Sequence, residues 1–152
     1  MINLLEDYKP LFYEKPETRY YLITGGRGSG KSWTLALFLL NLTYQKGHVI
    51  LFTRYTLVSA FISIIPEFLD KIEIMGKVND FEVTQSEIIN KLTGSKILFR
   101  GIKTSSGVNT ANLKSIAGLS FVCHQIAAVR FLLLLRLSPL RIRSQYSLRS
   151  TV

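Results

Sequence analysis

The chain is short of cysteine, of acid in its second half, and of long apolar runs. Cys123 is the single cysteine among 152 residues, which excludes an internal disulfide and any cysteine-cluster metal site and fits a reducing compartment. No Asp or Glu occurs after Glu87: residues 1–87 carry nine Lys and Arg against ten acids, and the last 65 residues carry ten basic residues and none. The net charge of +9 therefore belongs to the second half, an asymmetry that often marks nucleic-acid binding. No stretch of eighteen uncharged apolar residues exists, so no membrane span is expected. Glu6, Asp7 and Lys9 interrupt the first apolar residues, which argues against a signal peptide. The 47% hydrophobic content excludes a disordered chain and supplies one domain with a real core. There are no internal repeats.

What is present is organised around Gly25-Gly26-Arg27-Gly28-Ser29-Gly30-Lys31-Ser32, which satisfies the phosphate-loop pattern G-x-x-x-x-G-K-[ST]. Glycines let the backbone curl so that its N–H groups converge on phosphate oxygens. Lys31 offers a mobile positive charge to the β- and γ-phosphates, and the Ser32 hydroxyl offers one coordination position to Mg²⁺. The apolar run Tyr20–Thr24 precedes the loop and reads as a buried parallel strand. The glycine- and proline-free run Trp33–Leu42 follows and reads as a helix, whose N-terminal partial charge favours an anion. The expected ligand is ATP with Mg²⁺, with Gly25, Gly26, Arg27, Gly28, Ser29, Gly30, Lys31 and Ser32 around it.

Residues 2–14 read as a short amphipathic helix. His48–Thr53 reads as the next strand, with Arg54 at its carboxyl end, where α/β sheets gather ligands; His48 reads as an ordinary strand-entry residue. Residues 57–75 read as helix in one or two pieces, Pro66 in a first turn capped by Ser63. Ile65, Phe68, Leu69 and Ile72 form its core stripe, and Glu67, Asp70, Lys71 and Glu73 its wet face. Glu87–Asn90 and Ile97–Arg100 read as a hairpin turning at Thr93-Gly94. Residues 101–109 read as a polar loop, 111–116 as a short helix, and Leu119 onward as another strand.

With these segments in order, residues 5–122 resemble the large terminase subunit of tailed bacteriophages, with similarity to those of crAss-like phages. The resemblance rests on the loop 25–32, on Ile50-Leu51-Phe52-Thr53-Arg54 followed by Ser59, on Ile97–Lys103, and on Leu113-Lys114-Ser115-Ile116-Ala117-Gly118. It implies an α/β P-loop ATPase domain with a mostly parallel central sheet flanked by helices. It further implies a motor in the host cytoplasm that drives double-stranded viral DNA into a procapsid. Its implied partners are the portal protein, the small terminase subunit and other copies of itself in a ring. Arg27 matches an arginine of that family, placed to reach the γ-phosphate, and with Lys31 it forms the implied catalytic pair.

The chain departs from the family at the strand beginning at Leu119. Terminases end that strand with an aspartate for Mg²⁺ and a glutamate for the attacking water; here it runs Phe121-Val122-Cys123-His124-Gln125. Composition changes at the same place. Residues 123–152 hold seven Leu, five Arg and four Ser, and no Lys, Asp, Glu, Asn or Gly, the bias that wrong-frame translation favours. The expected organisation is a partial ATPase domain over 1–122, truncated near this Walker B strand, and an aberrant tail over 123–152 that nucleotide binding does not need. The alternative for the tail is an apolar helix over 126–137 with a basic end. Two functional alternatives stand beside the terminase: another P-loop ATPase of helicase or recombinase type, and a nucleotide-binding module without turnover.

Overall fold

The computed structural model describes residues 6–12, 20–102, 116, 118–127 and 130–135. A 3₁₀ turn at Glu6–Tyr8 leads into the single helical turn α1 (Lys9–Phe12); the remainder of the helix expected over 2–14 lies outside the described residues. Strand β1 (Tyr20–Thr24) follows, then α2 (Lys31–Leu42), β2 (Val49–Arg54), α3 (Leu57–Ser63) and α4 (Ile65–Ile74). A second 3₁₀ turn at Val78–Asp80 precedes β3 (Phe81–Val83), β4 (Glu87–Asn90), β5 (Lys96–Gly101), β6 (Leu119–Ala127) and β7 (Arg130–Leu135). The readings of residues 103–115 lie outside the described residues.

The strands form one sheet in the order β1-β7-β6-β2-β5-β4-β3. The fold is α/β, as expected, but parallel pairing is confined to β2 with β5 and β2 with β6. The remaining pairs are antiparallel, so the sheet is mixed rather than mostly parallel. Connection length is the reason for β4 with β5 and for β6 with β7. A parallel neighbour needs a crossover of a dozen or more residues; five residues join β4 to β5, turning through Gly94 as predicted, and β7 starts three residues after β6 ends.

β1 is corrected too. It lies at the sheet's edge, and Tyr20 and Leu22 are 65% and 62% exposed while Ile23 is buried. It is half-buried, not the fully buried strand its apolar run suggests. It reaches the sheet through β7, each of its five residues paired with one of Arg130–Leu134. Residues 130–135 are thus strand, not the helix of the alternative reading, and they pair with β1 and β6.

The core lies between the sheet and α2 with α4. α2 is apolar nearly all round and buries Leu35, Ala36, Phe38, Leu39, Leu40 and Leu42. Phe52 of β2, Phe99 of β5 and Phe68 of α4 meet ring to ring, centroids 5.3 to 6.1 Å apart. Side chains alternate along a strand, and Leu51 and Leu98, which face the other way, are also buried at 5%. Burial on both faces explains why these two strands read as continuous apolar runs.

α3 and α4 divide the helical stretch in two, as one of the two readings had it. Ile65, Phe68 and Ile72 are buried, whereas Leu69 is 40% exposed. Ser63 does not cap α4: Ile64 holds that position without a side-chain cap bond, and the Ser63 hydroxyl accepts a hydrogen bond from the Arg54 guanidinium instead. Lys71, expected on the wet face, is 2% exposed. Its ammonium pairs with Glu67 and Asp70 and lies 5.5 Å from the Trp33 ring centre, partners that burial of a charge requires.

Candidate functional site

The loop between β1 and α2 is shaped by two glycines. Gly25 has φ 156°, and a β-carbon there would lie 2.8 Å from Ser29 Oγ, closer than real contacts allow. Gly30 has φ 75°, the left-handed region, at the residue before α2 begins, where a β-carbon would strain the backbone. Thr34 N–H then donates to Gly30 O at 2.9 Å, opening the helix.

Lys31 is folded into the loop it follows. Its ammonium donates to Gly25 O at 2.7 Å, to Gly26 O, and to Ser29 Oγ at 2.8 Å, and the residue is 5% exposed. Three oxygens thus solvate a buried cation, as burial of a charge requires. Ser32 is half-buried in the first turn of α2, and Arg27 is exposed. The structure therefore brings Gly25, Gly26, Ser29 and Lys31 into direct contact; Gly30 and Ser32 flank Lys31 in sequence, and no contact joins Arg27 to the group among the described residues. Residue types and backbone fit a phosphate: a curl a β-carbon would fill, a cation at its centre, and a helix N-terminus beyond.

The acids are less well placed. Asp70 and Glu73 are exposed, as expected of a wet face, but Glu67 is half-buried. It lines a cavity of about 10 Å³ with Ser32, Leu35, Ala36, Phe52, Ile64 and Phe68, which corrects its reading as a solvent-face residue. Asp80 accepts a hydrogen bond from Tyr44 Oη at 2.9 Å, away from the loop in sequence and structure. Among the described residues no group of three or more His, Cys, Asp and Glu could hold a metal ion.

Near the carboxyl end of β2, Thr53 Oγ1 and His124 Nδ1 of the neighbouring β6 lie 2.8 Å apart. The pair is hydrogen-bonded, and neither member is a carboxylate. Cys123, beside it, is fully buried; burial pushes its thiol far up, so it is not a nucleophile.

Sequence reasoning missed one contact entirely. Tyr8 Oη donates to the Ser29 carbonyl at 2.9 Å across 21 residues. A tyrosine next to two acids in a polar N-terminal stretch carries no local signal for it.

Strand, glycine loop and buried helix, with a lysine held in the loop's hollow, define an α/β domain of the P-loop NTPase type. The family model for the phage terminase large subunit matches residues 17–130, and the chain belongs to that family. No curated protein matches the chain. No helix among the described residues is long and apolar enough to cross a membrane.

Proposed function

We propose that the chain binds Mg-ATP at Gly25–Ser32, as the nucleotide-binding part of a phage DNA-packaging motor. The observation that carries the reading is Lys31, whose ammonium is gathered by Gly25, Gly26 and Ser29 in the hollow of the loop. In this reading a triphosphate takes over those three oxygens' role, the loop N–H groups take the phosphate oxygens, and Arg27 reaches the γ-phosphate. Mg²⁺, carried on the Ser32 hydroxyl, supplies charge neutralisation between phosphates. Family membership supports action on double-stranded viral DNA in the host cytoplasm, with portal protein, small subunit and a ring of copies as partners.

A second reading, binding without turnover, is favoured by a specific observation. Hydrolysis needs a carboxylate to orient water and support the metal, and beside the carboxyl end of β2 the paired residues are Thr53 and His124. Calorimetry with ATP and an ATPase assay test both readings together. Lys31→Ala should weaken ATP binding by about tenfold to a hundredfold, the worth of charge-assisted hydrogen bonds, while the unaltered chain hydrolyses ATP near background. Equal affinity in the two proteins would remove the loop assignment. Steady turnover abolished by Lys31→Ala would identify an acid already present, Glu67 first, as catalytic.

A further inference from the structure

We infer that Tyr8 is a positioning residue for the phosphate loop, its hydroxyl fixing which way the Ser29–Gly30 peptide faces. The inference rests on the phosphate-loop reading above and adds a residue to it. Three observations converge. Tyr8 Oη donates to the Ser29 carbonyl at 2.9 Å. The turn that carries Tyr8 is anchored: Leu11 is 8% exposed within the core, and the Phe12 ring meets Phe38 of α2 edge-on at 5.4 Å. Ser29 is also held from its other end, where its hydroxyl accepts from Lys31 at 2.8 Å.

Peptide geometry gives the bond its meaning. In a trans peptide C=O and N–H point in opposite directions, and no peptide of the described chain is cis. Holding the Ser29 carbonyl toward Tyr8 therefore aims the Gly30 N–H away from Tyr8. Gly30 lacks a β-carbon and sits at φ 75°, so the peptide before it turns over at little steric cost. Turned over, it would present a carbonyl oxygen where a donor is needed, and an anion would meet repulsion. The hydroxyl of Tyr8 selects the donor-inward arrangement before any ligand arrives. Anchoring it through Phe12 on α2 ties that choice to the helix that carries Lys31 and Ser32.

The test uses the full chain, inorganic pyrophosphate and adenosine as calorimetric probes, and the amide spectrum of ¹⁵N-labelled protein. Tyr8→Phe keeps the ring and its packing and deletes the one donor. It should weaken pyrophosphate binding by about fivefold, one ordinary hydrogen bond's worth, shift the Gly30 amide resonance without ligand, and leave adenosine binding unchanged. Leu11→Ala, which keeps the hydroxyl but loosens its anchor, should weaken pyrophosphate as well. Unchanged pyrophosphate affinity in Tyr8→Phe overturns the inference, as does a loss confined to adenosine, which would make the hydroxyl a nucleoside contact. So does full pyrophosphate affinity in Leu11→Ala. An unaltered chain that takes up no pyrophosphate removes the phosphate-loop reading itself, and that failure is seen before any variant is compared.

Discussion

The two halves of the sheet are held by different means. From β2 through β5, side chains decide the structure: Phe52, Phe68 and Phe99 interlock, Ile50, Ile88 and Ile97 are wholly buried, and acids and bases balance along the sequence. From Cys123 onward the chain has no acid, and β7 is laddered to β1 on one side and to β6 on the other. Ladder bonds use groups every residue owns, so a β-prone leucine run can fill an open edge whatever its origin. A strand's presence between two others is therefore weak evidence that its sequence was selected. On composition we propose that the native reading frame is lost near Val122. The nucleotide sequence across codons 119–126, read in three frames, tests this directly: a continuous frame with acids restored after the β6 strand is the expected result, and no such frame removes the proposal.

Phe68→Ala strikes the side-chain half where it is densest. Phe68 is 1% exposed and touches both Phe52 and Phe99. Loss of its ring should cost about 3–5 kcal/mol by transfer and cavity terms, measured as the change in urea midpoint at constant slope. A loss under about 1 kcal/mol would mean that the cluster is loosely packed and that the two halves differ less than they look.

Leu133→Pro strikes the ladder half. Leu133 stands opposite Tyr21 of β1 and Cys123 of β6, and proline in a strand paired on both sides removes a donor and clashes with its neighbours. Stability should fall by about 3 kcal/mol, and ATP affinity should fall with it, because β1 carries the phosphate loop. Leu133→Val, which keeps every ladder bond, should behave nearly as the unaltered chain. If Leu133→Pro melts and binds ATP like the parent, β7 does not hold β1 in solution, and the tail is dispensable after all.

The same contrast accounts for what was legible beforehand. The loop from Gly25 to Ser32, the buried helix after it, the strand before Arg54 and the turn at Gly94 are written locally, in glycine placement and apolar period. The edge position of β1 is not, because a strand's neighbours come from distant segments and Tyr20–Thr24 reads the same at an edge or a centre. Lys71 read as wet because charge is a poor guide to where a long stem lies. Ser63 read as a cap because its spacing to Pro66 was right, but Arg54, nine residues earlier, takes its hydroxyl. Of the candidate site, the glycine loop with Lys31 behind it was legible; Tyr8 and the half-burial of Glu67 depend on tertiary contact and left no local trace.

The smallest expected effect lies where the two halves touch. His48 enters β2, is 4% exposed, and packs its ring edge-on against Phe121 of β6 at 5.1 Å. Its Nε2 meets Gln45 Oε1 at 3.0 Å, and Nδ1 is buried without a partner. Burial lowers its pKa from the ordinary 6.5, because the imidazolium loses hydration there. The folded chain therefore holds His48 neutral at a pH where the unfolded chain has already taken up a proton. Unfolding binds the extra proton, so stability falls as pH drops through about 6.5 and goes on falling until the lowered folded pKa is reached. Above the unfolded value neither state is protonated, and this contribution is flat. Melting temperatures of the parent and of His48→Leu, measured from pH 7.5 down to 5.5, should diverge in slope, the parent losing more on acidification. Parallel profiles would show that His48 protonates as readily in the fold as out of it, and that the contact between the two halves at Phe121 is open to water.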